Sequence, residues 1–391
     1  MARNIVFVGA KRTAFGAFGG SLKDFTATDL GIVAAEAALK QNAVEPACID
    51  HVIFGNVFQT SAHAAALARH VGIRCGIPIS VPAVTVNRLC GSGIEAICQA
   101  ARLIRTEEAT TVLAGGAENM SQCPYVLRGA RFGYRMNHAE LEDSLVAGLY
   151  DPQAKLSMAL SAELLATQYG VTRQQCDEVA LRSHHLAAKA AEEMLQEEIA
   201  PVSIRTKNGE KTFQHDEHVR KDATLEALSQ LRPVFKTDGV VTAGNASGIS
   251  DGAAALILST EEKANSRGWN ILGQYIDCFV IGCEPKLMGL GPILACEGLL
   301  KKQELSLKDI SFIEIHEAFA PIYVTAEKEL NLDRNRTNVD GGAIAFGHPL
   351  AASGARMAAH LLYRLRKKGG GLGVGSACIG GGQGIAILVK V

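Results

Sequence analysis

Short apolar runs typical of β-strands alternate with longer helical patterns along most of this chain. The runs occur at residues 52–57, 84–86, 111–114, 312–315 and 386–391. Between them, apolar residues recur at helical spacing, as at Ile94, Ile97, Ala101 and Ile104. This alternation predicts α/β layers built on a mostly parallel, buried sheet.

The two ends of the chain repeat one pattern at a nearly constant separation. In each pair the two residues stand at corresponding places relative to a predicted strand or helix. The pairs are Asn56 with His316, Gly93 with Gly354 and Gly115 with Gly375, separated by 260, 261 and 260 positions. The sequence therefore predicts a duplicated α/β unit, with one copy in each half.

Residues 119–249 have no counterpart in this repeat. They are richer in charge and contain helical patterns at 159–169 and 176–199. We expect an inserted lobe that supplies a substrate-binding surface. The predicted division is an amino-terminal half of residues 1–118 plus 250–270, an inserted domain of 119–249, and a carboxyl-terminal half of 271–391.

Composition excludes several classes of protein. The 391 residues are 48% hydrophobic with a net charge of −1, which indicates globular domains without a basic field for nucleic acid. No apolar run reaches the roughly 18 residues of a membrane span. The ten cysteines form no CxxC pair, and neither a disulfide framework nor a metal site is indicated. Since a strand is predicted almost from the first residue, we expect no cleavable presequence and a cytoplasmic location.

Three reactive side chains stand among glycines where strands are predicted to end: Cys90, His348 and Cys378. Cys90 directly precedes a helical pattern that begins near Ser92. The amino terminus of that helix would favour the thiolate and lower the pKa of Cys90. This context favours a nucleophile, although most cysteines of this kind are small buried residues.

The duplication would bring His348 opposite Cys90, within reach as a base. An isolated histidine is, however, more often structural. Cys378 is followed by four glycines within residues 380–384, which form either a tight strand connection or a nest of amides for an oxyanion. Together these residues predict carbon–carbon bond chemistry on a thioester. Dinucleotide and ATP chemistry are disfavoured, because neither G-x-G-x-x-G with its downstream acid nor a Walker A motif is complete.

Five motifs resemble those of the thiolase family, in the same order and over essentially the whole chain. They are residues 86–93 (Val-Asn-Arg-Leu-Cys-Gly-Ser-Gly), 244–248 (Gly-Asn-Ala-Ser-Gly), 317–320 (Glu-Ala-Phe-Ala), 347–349 (Gly-His-Pro) and 376–382 (Ser-Ala-Cys-Ile-Gly-Gly-Gly). The resemblance implies two duplicated halves in a five-layered α-β-α-β-α core, with a loop domain inserted in the first half that holds CoA.

The resemblance also implies roles for the catalytic residues. Cys90 would take the acyl group, and His348 would activate it and help to polarise the thioester oxygen of the second substrate. Cys378 would exchange the proton at the α-carbon of acetyl-CoA. The amides of Cys90 and Gly380 would form an oxyanion hole.

The same resemblance implies contacts for coenzyme A as a substrate, with no tightly bound cofactor and no metal. Ser247 resembles a pantetheine contact and Arg220 a residue at the nucleotide end. Met158, Met288 and Phe319 complete the candidate contacts to CoA and the acyl chain. A homodimer or homotetramer is expected.

The chain departs from the family pattern at two places. His316 replaces the asparagine that usually holds a water in a second oxyanion hole; histidine can also donate, so we expect activity to survive. Ala351 and Ala352 replace glycines and would tighten the loop after His348. Ser157 stands where several short-chain enzymes have histidine, which favours a broader acyl range.

The leading hypothesis is reversible CoA-dependent cleavage of 3-ketoacyl-CoA to acyl-CoA and acetyl-CoA through an acyl-Cys90 intermediate. One alternative is a short-chain acetoacetyl-CoA thiolase that works in the synthetic direction. Another is a catalytically impaired acyl-CoA-binding relative. A cysteine hydrolase that uses Cys90 and His348 ranks lower, because it would leave Cys378 without a role.

Overall fold

The computed structural model describes residues 3–207 and 209–391. The strands are β1 (Ile5–Thr13), β2 (Gly16–Ala17), β3 (His51–Gly55), β4 (Ala83–Val86), β5 (Thr111–Asn119), β6 (Tyr125–Leu127), β7 (Leu141–Asp143), β8 (Tyr150–Asp151), β9 (Leu156–Ser157), β10 (Ile199–Ala200), β11 (Val202–Thr206), β12 (Gly209–Phe213), β13 (Ser250–Thr260), β14 (Gly273–Gly282), β15 (Phe312–Ile315), β16 (Leu372–Ile379) and β17 (Gln383–Lys390).

The α-helices are α1 (Ala27–Gln41), α2 (Leu67–Arg74), α3 (Ser92–Arg105), α4 (Ser144–Gly148), α5 (Met158–Gln168), α6 (Arg173–Glu193), α7 (Leu195–Glu198), α8 (Leu225–Ser229), α9 (Glu261–Ser266), α10 (Gly291–Lys302), α11 (Ala320–Glu329), α12 (Ala343–Phe346) and α13 (Leu350–Lys368). Short 3-10 helices span Pro46–Cys48, Ala64–Ala66, Met120–Gln122, Ala130–Phe132, Pro285–Leu290 and Leu307–Asp309. Across the described ranges, no helix is both long and apolar enough to cross a membrane.

The two halves of the chain have the same strand order and the same strand directions. In the first half, β4, β3 and β5 are parallel, and β13 runs antiparallel between β5 and β1. In the second, β15 is parallel to β16, and β17 runs antiparallel between β16 and β14. A parallel bridge from Ile313 to Thr337 stands where β4 lies in the first copy. The duplication predicted from the sequence is confirmed by this shared topology.

The expectation of a mostly parallel sheet is wrong. Eleven of the described strands form one mixed sheet, in which β1 pairs with β14 and joins the two halves, and the other six form three two-stranded sheets. Antiparallel strands such as β13 are buried along their whole length. Such a strand shows the continuous apolar run that a buried parallel strand also shows, so the pattern does not distinguish them.

Five layers result from how the helices cover this sheet. α3 and α13 lie between the two halves in one buried cluster. α1 and α2 cover the outer side of the first half, and α10 and α11 that of the second. The fold is therefore the α-β-α-β-α arrangement predicted from the resemblance.

Two glycines let the central helices cross at close range. A Cβ on Gly93 of α3 would lie 2.5 Å from the backbone nitrogen of Ala355 on α13. A Cβ on Gly354 of α13 would lie 2.8 Å from a side-chain carbon of Ile94 on α3. Gly93 and Gly354 occupy equivalent positions in the two copies of the repeat. Since α3 follows Cys90 and α13 follows His348, this crossing sets how far apart those two residues lie.

The segment between β5 and β13 contains the elements from β6 to β12 and from α4 to α8. β5 ends at Asn119 and β13 begins at Ser250, next to the predicted limits of the inserted domain. The division into two halves and an insertion at 119–249 stays a prediction.

Candidate active site

Cys90, His348 and Cys378 line one cavity of about 340 Å³. Cys90 lies just before α3, His348 two residues before α13, and Cys378 next to the last residue of β16. The duplicated topology brings these three ends together although they are distant in the sequence. Four of the predicted CoA and acyl contacts, Met158, Ser247, Met288 and Phe319, line the same cavity.

Two backbone N–H groups are directed at the Cys90 sulfur, its own and that of Gly380. Burial nevertheless raises the pKa of Cys90 to about 11, while these two N–H groups act in the opposite direction. The expectation of a lowered pKa is therefore wrong. The cavity removes water from the thiolate, and this desolvation outweighs the nearby helix terminus.

The His348 ring is held by its Nδ1 atom, which lies 2.6 Å from Ser353 Oγ. Because Ser353 Oγ donates its hydrogen to Pro349 O at 3.0 Å, we assign the proton of the His348 ring to Nδ1. Nε2 then carries the lone pair. Burial, followed by the charge of Arg356, lowers the pKa of His348 to about 3. The ring is neutral at physiological pH and available as a base.

The His316 ring packs against His348, with ring centroids 4.1 Å apart and Nε2 atoms 3.1 Å apart. With the tautomer assigned above, His316 Nε2–H donates to His348 Nε2. His316 Nδ1 is then an acceptor, buried and without a hydrogen-bond partner among the described residues. Burial, His348 and Arg356 lower the pKa of His316 well below its usual value. The two histidines therefore form a neutral pair.

Cys378 is buried, and this burial raises the pKa of its thiol well above the ordinary value. Cys90 contributes to the same shift. Cys378 is therefore a thiol in the unliganded site. It can give a proton to a developing carbanion, whereas a thiolate could not.

Ser247 and Phe319 belong to two segments that pair across the cavity wall. Ser247 N–H and Oγ both donate to Ala318 O, at 3.0 and 2.9 Å, and Ala246 forms an antiparallel bridge with Phe319. Met158 approaches Gly380: a Cβ on that glycine would lie 3.0 Å from Met158 Sδ.

Arg220 lies outside this cavity. It lines a neighbouring one of about 330 Å³, which shares three wall residues with the first: Ala243, Ala246 and Gly248. His184 and His218 stand beside Arg220 in that wall. The predicted nucleotide-end contact and the predicted reactive residues thus line two adjoining cavities.

Sequence reasoning missed Glu118. Its buried carboxylate accepts from Asn56 Nδ2 and from the N–H groups of Val57, Phe58 and Ala351, at 3.0–3.2 Å. Burial raises the pKa of Glu118 to about 7, and its charge raises the pKa of Cys90. A signal was present, because Glu118 precedes Cys378 by the repeat separation of 260 positions.

Other cavity walls had no sequence signal. Apolar residues from scattered loops and helices close the space around Cys90. They include Met120, Leu149, Val234, Phe235, Ile249 and Leu350. Among the residues that the structure describes, no group of three or more histidine, cysteine or acidic side chains could hold a metal ion.

Residues 5–262 match the family model for the thiolase amino-terminal domain, and residues 269–391 match that for the thiolase carboxyl-terminal domain. The chain belongs to the thiolase family. It is 51% identical to the mitochondrial 3-ketoacyl-CoA thiolase of Homo sapiens, over 100% of this chain and 99% of that protein. It is 43% identical to an acetyl-CoA acetyltransferase of Syntrophomonas wolfei, over 100% of each chain.

The fold agrees with solved thiolase structures. The human mitochondrial 3-ketoacyl-CoA thiolase superposes with a TM-score of 0.98, 50% identity and 99% of each chain covered. A structure of the same human enzyme in complex with CoA superposes with a TM-score of 0.97, over 99% of this chain and 98% of that one.

The expected cytoplasmic location is wrong on this comparison. The relatives from human, cattle and mouse, 50–51% identical to this chain, are mitochondrial proteins. Each aligns with the chain over 99% of its own length. Mitochondrial thiolases therefore exist at this length, and an early first strand carries no information about the compartment.

Proposed function

We propose that this thiolase catalyses reversible CoA-dependent cleavage of 3-ketoacyl-CoA into acyl-CoA and acetyl-CoA. The proposal rests mainly on one observation: Cys90, His348 and Cys378 line the same apolar cavity, and two N–H groups are directed at the Cys90 sulfur. The similarity to 3-ketoacyl-CoA thiolases over the whole chain supports the same activity.

In the first half-reaction His316 Nε2–H turns from His348 Nε2 towards the thioester oxygen of the substrate, which frees the Nε2 lone pair. Cys90 Sγ then attacks the 3-keto carbonyl carbon, and its proton passes to His348 Nε2. The high pKa of Cys90 and the low pKa of His348 disfavour a separately formed ion pair in the apolar cavity. Proton transfer therefore accompanies formation of the S–C bond. The N–H groups of Cys90 and Gly380 stabilise the resulting oxyanion, at about 2.7–4 kcal/mol for each donor.

The bond between the α- and β-carbons then breaks, which leaves an acyl group on Cys90 and the enolate of acetyl-CoA. Cys378 protonates the enolate carbon, and protonated His348 faces the thioester oxygen. Acetyl-CoA departs, and the proton on His348 restores the Cys378 thiol. Incoming CoA attacks the acyl-Cys90 carbonyl, its thiol proton returns to Cys90, and acyl-CoA is released.

CoA is proposed to reach Cys90 through the two adjoining cavities. Arg220 would meet the nucleotide end, and the pantetheine would run past Ser247 and Phe319. Met158 and Met288 would bound the reacting end of the substrate.

We favour a broad acyl range over a short-chain synthetic enzyme. Ser157 does not bear on this choice, because it caps α5, its Oγ accepting from Leu160 N–H at 3.3 Å, and it does not line the cavity. The walls near Cys90 are apolar, as an alkyl chain requires. The chain is also more similar to the 3-ketoacyl-CoA thiolase of human than to the acetyl-CoA acetyltransferase of Syntrophomonas wolfei.

The test compares CoA-dependent cleavage of acetoacetyl-CoA and of a medium-chain 3-ketoacyl-CoA. Turnover of both, with the medium-chain substrate preferred, is expected for the wild type. Cys90→Ala should abolish turnover, and Cys378→Ala should slow it by roughly 10²–10⁴-fold. Cys75→Ala, which alters a thiol outside the cavity, serves as the control. Full activity of Cys90→Ala would overturn the proposal, and preference for acetoacetyl-CoA would favour the short-chain alternative.

We also propose that the chain assembles as a homodimer or homotetramer. β4 is an edge strand, which presents unpaired backbone groups to a second copy. The inserted segment exposes large apolar side chains, with Phe132 92% and Met136 84% exposed. Sedimentation equilibrium should give a mass of two or four chains. Replacing Phe132 and Met136 by serine should reduce a tetramer to a dimer; a monomeric wild type would contradict the proposal.

A further inference from the structure

A second pair of thiols lies between α3 and β14, outside the lining of the substrate cavity. Cys98 comes from α3 in the first half, and Cys278 from β14 in the second. Cys278 packs against the buried cluster that contains Cys98, the two thiols influence each other's titration, and neither lines the cavity that contains Cys90. Both cysteines are free.

The side chains of Arg102 and Tyr275 lie close to this pair of thiols. Cys98 and Arg102 are four residues apart on α3 and so share one face. Arg102 Nη2 lies 4.0 Å from Cys278 Sγ. On β14, a register shift between Tyr275 and Asp277 puts Tyr275 and Cys278 on the same side of the strand.

The two thiols differ in burial and charge. Cys98 is fully buried, whereas Cys278 is half-buried beside the largely exposed side chain of Arg102. Hydrogen bonds from Cys98 and Tyr275, with the charge of Arg102, lower the pKa of Cys278 against the effects of burial and of Asp277. Burial raises the pKa of Cys98. One thiol is therefore accessible and the other is protected behind it.

We propose that Cys278 and Cys98 form a peroxide-sensitive thiol pair, separate from the active site, that closes to a disulfide between the two halves. The Cys278 thiolate attacks one oxygen of hydrogen peroxide; the O–O bond breaks, a sulfenic acid forms, and the departing hydroxide becomes water on protonation. Cys98 then attacks the Cys278 sulfur, the S–S bond forms, and a second water leaves with the Cys98 proton. Two thiols lose two electrons and one peroxide gains them.

The disulfide would connect the helix that follows Cys90 to the strand that joins the two halves. Because residues 98 and 278 are far apart in the sequence, a disulfide between them would close a long loop and strongly reduce the entropy of the unfolded chain. The oxidised protein should therefore melt at a temperature roughly 5 °C or more above that of the reduced protein.

The first experiment alkylates the reduced full-length protein at pH 7 and maps the modified peptides by mass spectrometry. Cys283 is the internal control, because it is also half-buried but has no cation partner, and its pKa is raised. Cys278 should react roughly tenfold faster than Cys283, since the thiolate is the reacting form. Arg102→Gln should reduce this difference severalfold.

The second experiment treats the full-length protein with a small excess of hydrogen peroxide and maps disulfides under denaturing, acidic conditions. A peptide pair joining Cys98 and Cys278 is expected in the wild type. It should be absent from Cys278→Ser, whereas Cys98→Ser should accumulate sulfenic acid at Cys278. Oxidation confined to Cys90 and Cys378, with Cys98 and Cys278 still free, would overturn the proposal, as would equal alkylation of Cys278 and Cys283.

Discussion

At the scale of single residues, the chemistry depends on which groups are kept uncharged. His348 and His316 face each other at 3.1 Å, and burial keeps both rings neutral. Ser353 fixes the tautomer of His348 through Nδ1. The neutral base and the thiol of Cys90 can share the cavity without the cost of a buried, unpaired charge.

The contact between the histidines predicts how His316 can be replaced. His316→Asn keeps an N–H donor in this position, so we expect kcat for thiolysis to stay within about tenfold of the wild type. His316→Leu removes the donor and should lower kcat by roughly 10²–10³-fold, as the loss of one oxyanion-hole donor does. Steady-state kinetics of both variants would measure kcat. If His316→Leu were as active as the wild type, the N–H donor would be unnecessary.

At the scale of elements, the crossing of α3 and α13 sets the distance between the ends that carry Cys90 and His348. Gly93 and Gly354 permit this crossing because neither has a side chain. Ala351, the first of two alanines noted in the sequence, lies in the same contact: its carbonyl oxygen would be 2.7 Å from a Cβ on Gly93. Because this contact is made by the backbone of Ala351, the tightening expected from its methyl group stays a prediction.

Gly93→Ala should therefore separate the two helices and impair both stability and activity. Overpacking of this kind lowers the free energy of unfolding by about 1–3 kcal/mol or more. Urea unfolding and thiolysis rates measure the two effects. Gly375→Ala is the matched control, since its Cβ would meet its nearest neighbours at 3.4 Å, an ordinary contact. Two variants of equal stability would contradict this account of the crossing.

At the scale of the whole molecule, a buried ionic network connects both halves and the inserted segment. Arg12 on β1 pairs with Glu198 and Asp216, at 2.7 Å each. Glu198 also contacts His360 on α13 at 2.9 Å, and His360 contacts Asp340 at 3.1 Å. Although burial opposes the charge, Glu198 and the other carboxylates raise the pKa of His360 to about 10.

The sign of this shift predicts the pH dependence of stability. Because the folded-state pKa of His360 is above the ordinary 6.5, its stabilising effect is complete below about pH 6.5 and is lost as the pH rises through about 10. The free energy of unfolding of His360→Gln should fall below that of the wild type by a few kcal/mol at pH 6.5. The difference should shrink towards pH 10 in paired urea titrations. A constant difference would show that His360 acts by packing alone.

Local patterns in the sequence determined much of this protein. Apolar periodicity predicted α3 and its buried face, the constant separation predicted two equivalent halves, and glycine-flanked motifs named Cys90, His348 and Cys378. Each of these signals depends on residues close together in the chain or on a simple repeat. The roles of the named residues stay predictions that the variants above test.

Only the tertiary structure decided the strand directions, the pKa of Cys90 and the pairing of His316 with His348. Strand direction was hidden because a strand buried on both faces looks the same in either orientation. The pKa of Cys90 depends on how much water the surrounding chain removes, and the two adjoining cavities are lined by residues distant in the sequence. Burial, desolvation and contacts between residues hundreds of positions apart are properties of the folded arrangement, which no local pattern encodes.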